Sequence, residues 1–151
     1  SFSTNSPSPS IANATLAMGG NYDVVVTDQN FCSVSGSTIV TVSPLPNGNI
    51  SGSATVCAGT IDTVLTFNFS VGTAPFDISY TDGTNTFSKM NVNKGDTIHI
   101  AVIGSITFTF YQIQDANGCL RSSGFLGGAT ITVAPLPVIT ATSVTNVLCN
   151  G

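Results

Sequence analysis

Residues 115–137 read DANGCLRSSGFLGGATITVAPLP, and a similar but shorter stretch, DQNFCSVSGSTIVTVSPLP, lies at residues 28–46. Each copy places an Asp-x-Asn-x-Cys turn before a glycine-bearing loop, a β-branched run and the tripeptide Pro-Leu-Pro. The two turns begin at Asp28 and Asp115, which are 87 residues apart (115 minus 28). This spacing indicates an internal repeat whose unit, about 90 residues, has the size of a β-sandwich module.

The repeat predicts a division of the chain into three units. Residues 1–46 are expected to be the C-terminal part of one immunoglobulin-like module, residues 47–137 a complete module, and residues 138–151 the first strand of a following module. The Pro-Leu-Pro tripeptides remove backbone donors and stiffen the connections. The sequence is therefore expected to be a window from a longer array.

The complete unit shows the pattern of an all-β fold. Short runs rich in β-branched and aromatic residues are separated by Gly, Pro, Asn or Asp about every eight to twelve residues, which is typical of an immunoglobulin-like (PKD-like) β-sandwich. About seven strands are expected there, beginning with a single strand over residues 50–56. No helix is evident, and a further short strand is expected over residues 11–16. The other predicted strands cover residues 22–27, 38–42, 64–71, 76–80, 86–92, 98–103, 106–113 and 130–133.

Composition excludes several classes of function. Only Lys89, Lys94 and Arg121 are basic, and the net charge is −4, so the chain lacks the clustered cations that nucleic-acid binding needs. No apolar run is long enough to cross a bilayer, so direct membrane insertion is not expected. The single histidine, His99, lies on the outward side of a predicted strand, and the chain has no Glu for a carboxylate pair. An enzyme is therefore not expected.

Four cysteines allow a disulfide framework. Pairing the first with the last cysteine inside each unit predicts a bond between Cys57 and Cys119, with Cys32 and Cys149 unpaired in this window. Closing a loop of 62 residues (119 minus 57) would contribute about 4 kcal/mol to stability. Four reduced thiols remain the alternative.

Three segments resemble known bacterial surface modules. GTAPFDISYTDGTN at residues 72–85, with DANGC at 115–119 and VAPLP at 133–137, resembles the PKD-like modules of giant surface proteins from Bacteroidota. Residues 9–28 are similar to the second half of an immunoglobulin-like module, and their Gly20-x-Tyr22 is similar to a tyrosine corner. Residues 144–151 resemble the start of the repeats in SprB-type gliding adhesins of flavobacteria. The resemblance implies an extracellular adhesin at the cell surface, exported by type IX secretion and linked to gliding motility.

Two kinds of modification or ligand site are expected beside the disulfide. The Asp-x-Asn turns offer calcium ligands at Asp28 and Asn30 and again at Asp115 and Asn117. Calcium takes six to eight oxygens, however, and plain hairpin chemistry explains the same residues. Asp62-Thr63-Val64 and Asp96-Thr97-Ile98 resemble the O-glycosylation signal of Bacteroidota, which would place sugars on Thr63 and Thr97.

Two classes of function follow. The first is a structural and adhesive array, whose partners are neighbouring modules or subunits of the same array. The second is a ligand-binding module that recognises a surface polysaccharide or other glycan through the loop aromatics Phe31, Phe87 and Phe125, although the absence of Trp weakens a sugar platform. A head-to-tail polymer joined by Cys149 and Cys32 of successive subunits is a further expectation.

Overall fold

A computed structural model describes residues 2–59 and 62–140 of the chain. Strands make up most of its regular structure, and the one helical element in that part is a 3₁₀ turn at Leu16–Met18. The strands, in chain order, are β1 (Gly20–Thr27), β2 (Ser33–Val40), β3 (Asn47–Ser51), β4 (Ala54–Cys57), β5 (Thr63–Val71), β6 (Phe76–Thr81), β7 (Thr86–Val92), β8 (Thr97–Ile100), β9 (Ile106–Gln114), β10 (Leu120–Arg121) and β11 (Ala129–Ala134).

Strands β3 to β11 form two facing sheets. One has the order β3-β5-β8, and the other has the order β4-β11-β9-β6-β7, with β10 added beside β9. Strand β4 runs parallel to β11, and the other pairs are antiparallel. Two sheets joined in this way make an immunoglobulin-like β-sandwich. The predicted all-β, immunoglobulin-like fold class is confirmed.

Aromatic residues fill the space between the sheets. The alternation in β5 turns Leu65, Phe67 and Phe69 inward, and all three are buried. Phe69 stacks on Phe76 of β6 with ring centroids 3.9 Å apart, and Phe67 contacts Phe110 of β9 at 6.0 Å. These rings supply the large apolar area that a Trp supplies in many sandwiches.

The N-terminal strands of the sandwich differ from the prediction. A single strand over residues 50–56 was expected, whereas β3 lies in one sheet and β4 in the other. The chain crosses between the sheets at Gly52, whose φ is 118° and whose position would bring a Cβ within 2.3 Å of the Val64 carbonyl oxygen. Only glycine tolerates that backbone and that approach.

Three smaller differences concern element boundaries. Residues 11–16 form no strand and lead into the 3₁₀ turn instead. Strand β8 ends at Ile100, three residues before the expected end. The two-residue strand β10, which follows the second Asp-x-Asn-x-Cys turn, was not predicted because two residues carry no readable alternation.

Strands β1 and β2 form a separate two-stranded sheet, and neither pairs with another strand in the described part of the chain. Their register places Tyr22, Val24 and Val26 on one face, opposite Thr38, Gly36 and Val34. Val24 is 58% exposed and Val26 is 60% exposed, so this apolar face is uncovered. The Tyr22 hydroxyl donates to the Met18 carbonyl oxygen at 2.8 Å, as in a tyrosine corner.

The connection between the β1–β2 hairpin and the sandwich runs from residue 41 to residue 46 without strand structure. Pro46 is fully buried, and a Cβ built at Gly72 would lie 3.0 Å from the Pro46 Cβ. The end of the first Pro-Leu-Pro is therefore packed into the sandwich.

Residues 138–140, after the second Pro-Leu-Pro, form no strand, and residues 141–151, with Cys149 and most of the predicted third unit, lie outside the described residues. Across residues 2–59 and 62–140, no helix has the length and apolarity to cross a membrane.

Candidate functional site

The two Asp-x-Asn-x-Cys turns have the same hydrogen-bond pattern. In the first, Asp28 Oδ1 accepts from the backbone N–H groups of Asn30 at 2.8 Å and Cys32 at 2.9 Å. In the second, Asp115 Oδ1 accepts from Asn117 and Cys119, both at 3.0 Å. In both turns the Asp N–H also donates to the Cys carbonyl oxygen. The sequence repeat is therefore a repeat of local structure.

The second turn is also fastened to a neighbouring loop. Asp115 is only 5% exposed, and its Oδ2 accepts from the Thr73 N–H at 3.1 Å. The Asn117 carboxamide donates to Thr73 Oγ1 at 2.8 Å, and the Ala116 N–H donates to the Thr73 carbonyl oxygen at 2.9 Å. These bonds tie the β9–β10 turn to the β5–β6 loop at one end of the sandwich.

The hydrogen bonds of the two turns occupy carboxylate oxygens that the calcium prediction assigned to a metal. Asp28 and Asp115 already accept backbone N–H groups within their turns, which is the bonding that an Asx-type turn needs. Asn30 and Asn117 each donate a backbone N–H to that carboxylate. No group of three His, Cys, Asp or Glu suited to a metal occurs within residues 2–59 and 62–140.

The cysteine prediction requires a correction. Cys57 and Cys119 are both free thiols, as is Cys32. In the β4–β11 ladder Cys57 lies opposite Ala134, which places it past the N-terminal end of β9 at Ile106. Cys119 donates its backbone N–H to Asp115, which places it past the C-terminal end of β9 at Gln114. At about 3.3 Å per residue the two lie on the order of 30 Å apart, far beyond the reach of a disulfide. The predicted Cys57–Cys119 bond is incompatible with this strand register.

The predicted glycosylation residues both lie at strand starts. Thr63 opens β5 and is half-buried, and Thr97 opens β8 and is exposed. His99 is exposed, as expected for an outward strand position, and its Nδ1 lies 2.8 Å from Asp62 Oδ1. Sequence reasoning missed this pair because the two residues are 37 positions apart and meet only through the pairing of β5 with β8.

The three loop aromatics occupy different environments. Phe31 is 89% exposed at the tip of the β1–β2 turn. Phe87 lies on β7 and stacks on Tyr80 at 5.3 Å. Phe125 packs against Phe110 at 5.9 Å. The structure therefore does not gather the three into one sugar-binding platform.

An apolar cleft of about 630 Å³ opens at one end of the sandwich. Its lining includes the aromatic residues Tyr80, Phe87 and Phe108 and the polar residues Asp82 and His99. Burial raises the pKa of the Tyr80 phenol. Hydrogen bonds from the Asn85 backbone and side chain and from the Thr84 backbone lower the pKa of Asp82.

A second groove, of about 500 Å³, is lined mostly by polar residues, and we call it the polar groove. It lies where β3 and β5 meet the β7–β8 turn and the loop after β10. Phe69 and Leu126 are its apolar lining residues. The polar side chains that line it are Asn47, Asn49, Asn68, Ser70, Lys94 and Arg121. Two of the three basic residues of the chain therefore line one groove.

Sequence reasoning did not identify this groove. Lys94 and Arg121 are 27 residues apart (121 minus 94), one in the β7–β8 turn and the other on β10, and no motif connects them. The available signal was that the chain has only three basic residues, with Lys94 beside Gly95 in a predicted turn and Arg121 in a predicted loop. Because basic residues are rare in this sequence, two of them in one groove point to a candidate binding site.

No protein-family model matches the chain, and a comparison with curated proteins finds no match.

Proposed function

We propose that the chain is a structural and adhesive segment of an extracellular bacterial surface protein, built from sandwich modules in line. The observation that carries this proposal is the repeated turn, in which Asp28 and Asp115 make the same bonds 87 residues apart. Repetition of one module along a chain is an economical way to build length, and it is typical of spacer and adhesin arrays.

The β1–β2 sheet supports the same proposal. Val26 stands 87 residues before Ile113, and Ile113 is fully buried in the sandwich while Val26 is exposed. A two-stranded hairpin with an uncovered apolar face is marginal by itself. We therefore propose that residues 1–46 are the C-terminal part of a module whose opposite sheet is supplied by other strands.

Connections between modules are expected to be short and stiff. Pro46 is buried in the sandwich, and Leu45 is exposed. An anchored proline restricts the angles at which the neighbouring unit leaves the sandwich. In an array this geometry transmits tension along the chain rather than allowing modules to swing freely.

Surface labelling tests the proposal. An antibody raised against residues 47–137 should label intact, unpermeabilised cells that produce the protein, and deletion of this segment should reduce attachment of the cells to a solid surface. Labelling that appears only after permeabilisation would contradict an extracellular location. Normal attachment of a strain that displays the shortened protein would contradict the adhesive role.

The alternative is a ligand-binding module of an extracellular multidomain protein. It is supported by the polar groove, which collects carboxamides and cations that the fold itself does not pair with carboxylates. A glycan array with the 151-residue chain distinguishes the alternatives, because a spacer binds no glycan whereas a binding module selects a small set.

A further inference from the structure

We propose that the polar groove is a binding site for an acidic polysaccharide with carboxylate-bearing sugar units of the hexuronate type. This site is independent of whether the chain forms an array. The groove volume of about 500 Å³ lies within the range of ligand-binding sites.

The electrostatic part of the site consists of two cations without carboxylate partners. Within residues 2–59 and 62–140 the only close contact between a basic and an acidic side chain joins His99 and Asp62, so no carboxylate lies within salt-bridge distance of Lys94 or Arg121. In a chain of net charge −4, two unneutralised cations on one groove form a local positive site on an otherwise acidic surface. Such a site favours carboxylate groups.

The fold holds the Arg121 guanidinium and the backbone turn that carries Lys94. The turn that carries Lys94 is fixed to β5 by two backbone bonds, Gly95 N–H to the Phe67 carbonyl at 2.8 Å and Phe67 N–H to the Asp96 carbonyl at 2.9 Å. The Arg121 Nε donates to the Ser123 carbonyl at 2.9 Å, and its guanidinium lies 5.1 Å from the Phe125 ring centroid. A cation that is already ordered loses less entropy when it binds a ligand.

The carboxamides supply the second half of the recognition. Asn47, Asn49 and Asn68 line the same groove, and a carboxamide offers both donors and an acceptor for sugar hydroxyls. The Asn68 amide is oriented by donating to Ser51 Oγ at 2.9 Å. A β-bulge at Asn47 and Gly48 turns this edge strand, and bulges commonly re-aim side chains at binding sites.

The same residues disfavour a nucleic acid. A phosphate backbone needs a basic side chain for each of several phosphates, and its affinity scales with their number. This groove offers two cations. A polysaccharide with one carboxylate per unit and several hydroxyls matches two cations and three carboxamides better.

Binding is tested with the 151-residue chain and three immobilised polymers: polygalacturonate, neutral dextran and single-stranded oligo(dT). We expect binding to polygalacturonate only, weakened when the salt is raised from 0.15 M to 0.5 M, since exposed charges are screened. Lys94→Gln and Arg121→Gln should each reduce affinity about tenfold, the loss of one charge-assisted hydrogen bond. Asn49→Asp places a negative charge in the groove and should also weaken binding.

Lys89→Gln is the matched control, because it removes the same charge outside the groove and should leave binding unchanged. Thermal melts verify that each variant is folded, and Lys94→Gln, in an exposed turn, tests the proposal if Arg121→Gln does not fold. The proposal is overturned by no binding to polygalacturonate, by equal binding to oligo(dT) or dextran, or by an equal loss with Lys89→Gln.

Discussion

At the scale of the residue, Phe31 and Gly118 occupy the same place in the two repeated turns with different consequences. Phe31 has a φ of 65° and Gly118 a φ of 79°, a region that costs a residue with a Cβ about 1 kcal/mol. Nothing lies within 4 Å of a Cβ built at Gly118, so the backbone alone decides the effect of a substitution there. Phe31 therefore carries strain that Gly118 avoids.

Phe31→Gly should consequently stabilise the β1–β2 hairpin by up to about 0.5 kcal/mol, since the relief of about 1 kcal/mol of strain is partly offset by the added freedom of glycine in the unfolded chain. Gly118→Ala should destabilise the sandwich by about 1 kcal/mol. Amide exchange at Val26 and Val34 reports on the hairpin, and urea unfolding reports on the sandwich. Faster exchange in Phe31→Gly would show that the positive φ is not a source of strain.

Asp115 is the residue on which one end of the sandwich depends. Its buried carboxylate accepts three backbone N–H groups, from Thr73, Asn117 and Cys119. Asp115→Ala leaves those donors without a charged acceptor and should cost about 3 kcal/mol in the free energy of unfolding, measured in urea. Asp28→Ala is the control, because the Asp28 carboxylate is exposed and accepts two. Equal effects of both variants on the main unfolding transition would contradict this account.

At the scale of the element, the β6–β7 turn is sensitive to acid through Asp82. Donors from Asn85 and Thr84 lower the pKa of Asp82 below its ordinary value of 3.8. A lowered folded-state pKa means that the stabilisation is fully present above pH 3.8 and is lost as the pH falls through the folded-state value. Asp82→Asn should therefore lower the melting temperature at neutral pH and have a progressively smaller effect below pH 3.8. A melting difference that does not depend on pH would contradict this linkage.

The strands that were predictable are those whose own alternation decides which side is buried. In β5 and β6 every second residue faces the core, so periodicity alone located them. In β9 the alternation shifts by one residue between Phe110 and Ile113. The split between β3 and β4 was not predictable, because it depends on the close approach of Gly52 to Val64 in another strand.

Pairing and packing between elements far apart in the sequence explain the remaining differences between the sequence-based predictions and the structure. The Cys57–Cys119 pairing assumed that the first strand ends beside the last hairpin, but the parallel pairing of β4 with β11 carries Cys57 to the opposite end. The polar groove depends in the same way on packing between separate elements. Residue types and turn motifs were readable from the sequence, and their positions relative to one another were not.

At the scale of the whole molecule, residues 2–59 and 62–140 contain one covered sandwich and one uncovered hairpin. The sandwich buries aromatic rings from both of its sheets. The hairpin keeps Val24, Val26 and Val34 exposed and has no strand partner in the described part of the chain. Because stability increases with buried apolar area, the hairpin should be less stable than the sandwich. The two parts are therefore expected to unfold separately.

Hydrogen exchange of the 151-residue chain, followed by mass spectrometry under native conditions, tests this separation most directly. Amides of β5, β6 and β9 should exchange together in one slow class, governed by unfolding of the whole sandwich. Amides of β1 and β2 should exchange at least about a hundredfold faster. If β1 and β2 exchange as slowly as the sandwich core, the two form one cooperative body, and the division into a covered module and an uncovered half-module is wrong.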